Sequence, residues 1–124
     1  MAIHWSAPWF ASVAEAGRAV QAAQAQGLPL PEALNRHAPG PLRAVSQSAL
    51  PEGQAYEAFI AATASVPTRE NLHDLFNGLI WHRFPASKRQ LNRLQAQAIA
   101  ADGVGAVRGP LRDAITLFDE NAAL

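Results

Sequence analysis

The chain contains no cysteine. Disulfides, thiolate nucleophiles, cysteine-held iron–sulfur clusters and zinc-finger sites are therefore excluded. It has no excess charge of either sign: ten Lys and Arg balance ten Asp and Glu, and charged residues make up only 16% of the chain. No global field draws it to nucleic acid or to an anionic membrane. No apolar run approaches the ~18 residues of a transmembrane helix. The start, Met1 to Trp9, shows neither the basic n-region nor the apolar h-region of a signal peptide. There is no H-E-x-x-H, no EF-hand loop, no P-loop and no internal repeat. The expected location is the cytoplasm, and no cofactor or metal is indicated by a motif. Zero net charge also removes a barrier between copies, so self-association is open.

What is present is a composition that folds. Hydrophobic residues make up 49% of 124 residues, a length suited to a single domain over 1–124. Abundant alanine favours helix over strand. A first helix is expected from Ser6 or Pro8 to Gln26, with Ser6 as N-cap, Gly27 as C′ residue and an apolar stripe of Phe10, Val13, Ala14, Gly17 and Val20. Five prolines fall between Pro29 and Pro51. This region reads as an ordered, irregular crossing with a short helix at Glu32–Arg36, anchored by Leu28, Leu30, Leu34, Leu42 and Val45. Further helices are expected over Glu52–Ala64, from Thr68 as N-cap to Arg83, and over Ser87–Ala101. The segment from Leu111 to Leu124 fits strand or short helix equally. The fold class is mostly α: a single-domain bundle of four or five helices.

Two stretches set polar groups inside apolar runs, where burial is costly without partners. In the first, Asn71 to Phe84, helical spacing puts Leu72, Leu75, Phe76, Leu79 and Ile80 on one face, with His73 and Asn77 on its shoulder. His73 and Asp74 are adjacent and so point about 100° apart. A functional reading makes His73 a base or ligand oriented by Asn77 or by a carboxylate. The favoured bland reading makes it a boundary residue bonded to the last segment. Asp74 is expected to pair with an arginine, Arg112 or Arg93, and Trp81 to lie in the core or an interface. Adjacent His-Asp also occurs in metal-dependent phosphohydrolases, which need more histidines and a distant aspartate; Asp113 or Asp119 would be that aspartate. His4, His37 and His82 could join His73, but their spacing carries no metal signature.

In the second stretch, Arg108 to Asn121, the carboxylates of Asp113, Asp119 and Glu120 flank an apolar strip. They could cap, pair with arginine or bind a cation. Arg83, Lys88, Arg89 and Arg93 form a local basic run that could touch phosphates. Without net positive charge or interleaved aromatics, a solvated face is the favoured reading.

The sequence Asn71-Leu72-His73-Asp74-Leu75-Phe76-Asn77, followed by Trp81, Phe84-Pro85, Lys88, Leu91-Asn92 and Leu94-Gln95, and the run Arg112 to Asn121, resemble the signature of a family found mainly in proteobacteria and catalogued as domain of unknown function 3025. The resemblance covers about Tyr56 to Leu124 well and the N-terminal half more loosely. It implies no chemistry. It implies a longer chain, since the family continues past the Asp-Glu-Asn motif, and hence an apolar edge that could drive dimerisation.

The primary functional expectation is a small cytoplasmic binding or interaction module, self-associating or engaging a protein partner, with no membrane association. The alternative is a hydrolase-like enzyme acting on an anionic substrate, with a site built from His73, Asp74, Asn77, Arg112, Asp113 and Asp119. There His73 is the base, the carboxylates orient it or hold a divalent cation, and Arg112 clamps the anion. The weakest alternative is nucleic-acid binding through the local basic run.

Overall fold

A computed structural model of the chain describes residues 3–102. Five α-helices and one pair of short strands account for most of it: α1 (Ala14–Ala25), α2 (Leu30–His37), β1 (Arg43–Ser46), α3 (Tyr56–Thr63), β2 (Ser65–Thr68), α4 (Leu72–Arg83) and α5 (Pro85–Asp102). The domain is mostly α, as the composition implies. Single 3-10 turns occupy Pro8–Phe10 and Gln47–Ala49.

Helix α1 begins at Ala14 rather than at Ser6 or Pro8, because the 3-10 turn folds Trp5 and Phe10 back onto the core before the helix starts. It ends as its sequence dictates, with Gly27 at φ +100° just beyond the last turn. Gly17 is where Trp5 crosses α1. A Cβ built there would collide with the Trp5 indole, so only glycine admits that ring. Gly78 plays the same part on α4, whose backbone passes under the Leu34 side chain of α2.

The Pro29–Pro51 crossing is more regular than expected. It contains α2 and then β1, which pairs in parallel with β2 in the register Arg43↔Ser65 to Ser46↔Thr68. Thr68 is therefore the last residue of a strand and not a helix N-cap; its hydroxyl donates to the Val66 carbonyl, and Asn71 caps α4 instead. The strands carry little sequence signal, because each is four residues long and β2 contains Pro67. Arg43 N–H donates to the Ala64 carbonyl. In a parallel ladder donors alternate, so Pro67 falls where its nitrogen turns away from β1 and no N–H is missed.

Two apolar clusters form the interior. The larger joins Trp5, Val13 and Val20 to Leu30 and Leu34 of α2 and to Leu75 and Leu79 of α4. The smaller joins Leu42, Ile60, Val66 and Trp81, with Tyr56 against it. Trp81 is thus a core residue. Among the described residues no helix is long and apolar enough to cross a membrane.

Candidate functional site

Of the six residues expected to form a site, the structure describes His73, Asp74 and Asn77; Arg112, Asp113 and Asp119 lie outside the described residues. All three described residues belong to α4. Its entry turn decides their geometry. Asn71 is extended and its Oδ1 accepts the Asp74 N–H at 2.7 Å, which starts the helix. The Asp74 carboxylate then folds back over the turn. Its Oδ2 accepts the Arg69 backbone N–H at 2.7 Å and the Arg69 Nε at 3.3 Å, while its Oδ1 meets His73 Nδ1 at 3.0 Å. Among the described residues the arginine beside Asp74 is therefore Arg69 and not Arg93; Arg112 lies outside them. Arg69 is five residues upstream on the same turn, so the pairing needs no long-range closure.

Neighbouring helical residues point about 100° apart, yet His73 and Asp74 touch. First-turn side chains lean toward the helix N-terminus, which brings both groups over the entry turn. Asp74 is buried, and burial pushes its carboxyl up. The hydrogen bonds from His73 and from Arg69, with the guanidinium charge, outweigh this and hold it below the ordinary carboxylate value. The same pairing raises Arg69 further. An ionised carboxylate only accepts, so His73 Nδ1 carries a proton, and in the neutral ring the lone pair is on Nε2. The His73 side chain is 68% exposed. Asn77 does not orient it; its Nδ2 donates to the Tyr56 hydroxyl at 3.2 Å.

Sequence reasoning missed a second polar group. Helix α5 buries Lys88, Asn92 and Gln95, spaced i, i+4, i+7, while Leu94 between them is 40% exposed. Asn92 Nδ2 donates to the Glu57 carbonyl at 3.0 Å and to its carboxylate at 2.6 Å. The Lys88 ammonium lies 5.8 Å from the centre of the Trp81 ring. Between α3, α4 and α5 these side chains line a cavity of ≈ 10 Å³, room for about one water. The helical spacing of three polar residues could have pointed to this seam. The basic run does not form one face: Lys88 is buried, Arg83 stacks on Phe84 at 4.9 Å and Arg93 is exposed.

A third feature is an aromatic ladder at the α1–α4 side. Buried Trp5 packs on Phe10 and on Phe76, and the Phe10 and Phe76 rings stack at 5.6 Å. Trp9 continues the ladder from Phe10 at 6.1 Å and is 57% exposed.

Residues 42–124 match a family described as a protein of unknown function, DUF3025. The chain belongs to this family. Its matched region includes the Arg69–His73–Asp74 turn and the α5 seam, whereas α1, α2 and Trp9 precede it. No curated protein and no solved structure matches the chain.

Proposed function

We propose that this DUF3025 protein is a small cytoplasmic bacterial interaction module. The supporting observation is Trp9, a large aromatic left more than half exposed at the end of an ordered ladder of rings. Tryptophan on a rigid apolar base supplies contact area at low entropic cost, and such residues dominate binding energy at interfaces. Zero net charge sets no Coulomb barrier to a second copy, so self-association is tested first. Sedimentation velocity across a concentration series should show reversible association. Trp9→Ser should weaken it by about tenfold or more, the scale of a hot-spot residue. A chain that stays monomeric throughout overturns self-association.

The enzyme reading keeps one specific support. Asp74 fixes the His73 tautomer and leaves an accepting nitrogen on an exposed ring, the arrangement of an oriented general base. Under this reading Arg69 joins the site. His73→Ala should abolish hydrolysis of an anionic ester with only a small fall in the melting temperature. A fall in melting temperature with activity retained assigns His73 a structural role.

A further inference from the structure

We infer that His73 is a phosphoryl-acceptor site, taking the group on Nε2 from an N-phosphoryl donor. This goes beyond both functional readings and depends on neither, since it requires only that the ring be nucleophilic and reachable.

The argument begins with the two ring nitrogens. Nδ1 is engaged by Asp74 Oδ1 at 3.0 Å, whereas Nε2 has no hydrogen-bond partner among the described residues. A carboxylate on one nitrogen raises the electron density of the other and stabilises the imidazolium that forms when Nε2 is alkylated, acylated or phosphorylated. What favours phosphoryl over other electrophiles is a mobile cation on the same carboxylate. The Arg69 guanidinium is held by the same carboxylate, and its side chain is 59% exposed. Guanidinium and phosphate oxygens are matched in geometry and charge. His73 is the second residue of a twelve-residue helix, so the positive end of the helix adds to the same field.

The step balances without a base. The Nε2 lone pair forms the N–P bond, and the donor P–N bond breaks with its electron pair leaving on nitrogen. With phosphoramidate, whose nitrogen is already protonated, ammonia departs and no proton is lost from the ring. The product is an imidazolium whose Nδ1–H still donates to Asp74, carrying a phosphoryl dianion on Nε2.

The chain carries its own comparators. His82 Nδ1 is bound to the neutral Pro39 carbonyl at 2.7 Å, and His37 is exposed on α2 with no side-chain hydrogen bond among the described residues. The full chain is incubated with phosphoramidate at neutral pH. Acid-labile phosphate is then located by peptide mapping, and its position on the ring by phosphorus NMR. The expected result is labelling at His73 Nε2 about tenfold faster than at His82 or His37, the scale of an outer-sphere carboxylate effect. Asp74→Asn, in protein shown to be folded by circular dichroism, should bring His73 down to the His37 rate. Arg69→Gln, at an exposed position, should slow His73 and leave His37 unchanged. Equal labelling of His73, His82 and His37 overturns the proposal, as does attachment at Nδ1. Should Asp74→Asn fail to fold, the site ratio in the unaltered chain and the Arg69→Gln result decide alone.

Discussion

Asn35 holds Ala44 by both halves of its side-chain amide: Nδ2 donates to the Ala44 carbonyl at 2.8 Å, and the Ala44 N–H donates to Oδ1 at 2.8 Å. One side chain on α2 thus reproduces the pairing that a third strand would make on β1. With Pro67 denying a donor on the far side of β2, both rims of the two-stranded sheet are occupied or blunted, which is how a short sheet avoids pairing with another chain.

Asn35→Ala should therefore destabilise the fold by about 1–3 kcal/mol, the loss of two part-buried hydrogen bonds. Asn35→Asp retains an acceptor for the Ala44 N–H but sets a carboxylate against the Ala44 carbonyl. Urea denaturation should order the chains Asn, then Ala and Asp together below it. Wild-type stability in the alanine variant would show that water replaces the amide without loss.

Glu70 makes a comparable long-range bond. Both of its carboxylate oxygens lie 2.9 Å from the Leu30 N–H, the first amide of α2. The N-cap position there is Pro29, which has no side-chain acceptor. A residue forty positions away therefore caps the helix and sets a negative charge at its positive end. Glu70→Ala should cost about 1 kcal/mol. Glu70→Gln keeps an acceptor without the charge and should cost less, by about 0.3–1 kcal/mol. The gap between Gln and Glu should shrink as salt is raised, while the Ala deficit persists. Equal losses for Gln and Ala at low salt would assign the whole effect to charge.

These two bonds explain what the sequence could and could not disclose. The end of α4 is local, since Arg83 before Phe84-Pro85 stops the helix; α5 starts at Pro85 rather than at the expected Ser87, because proline fits a first helical turn. The buried faces of α1 and α4 follow helical periodicity, so Val13, Gly17, Val20, Leu75 and Leu79 were readable. The role of Glu70 was not. Its position suggests the first turn of α4, but the chain places it before the cap and turns it to α2. The strands β1 and β2 depend on each other and on Asn35, and four residues carry no period of their own. At the site, the His73–Asp74 contact came from the lean of first-turn side chains, which a helical wheel ignores. Arg69 carries no such signal, because a helix started at Thr68 would include it, whereas the helix starts after Asn71.

The Asp74 carboxylate predicts an acid dependence. Its folded pKa lies below the ordinary value, so the folded state binds fewer protons than the unfolded state through the carboxylate range. Its contribution is fully present above the unfolded pKa of about 3.9 and is lost as pH falls through the lower folded value. Asp74→Asn should cost about 1–2 kcal/mol at neutral pH through the weakened Arg69 and His73 bonds. That difference from wild type should narrow as pH falls through the carboxylate range. Urea midpoints for the two chains across acid pH measure it. A difference independent of pH would place the effect in packing of the entry turn rather than in its charge.

Gly17 gives a prediction of opposite sign to its helix propensity. In an exposed helix interior, Gly→Ala stabilises by about 1 kcal/mol. Here the added methyl would meet the Trp5 indole, which is 7% exposed and whose Nε1 donates to Gln21 Oε1 at 2.8 Å. The ring cannot stay, and overpacking of this kind costs about 1–3 kcal/mol. Gly17→Ala should therefore lower stability despite the better helix former, and tryptophan emission should shift to the red as Trp5 meets water. Pairing it with Trp5→Leu, which removes the clashing ring, should make the alanine favourable again. The double variant should lose less than the sum of its parts. If the two effects add, the indole has moved aside freely, and α1 does not depend on its close approach.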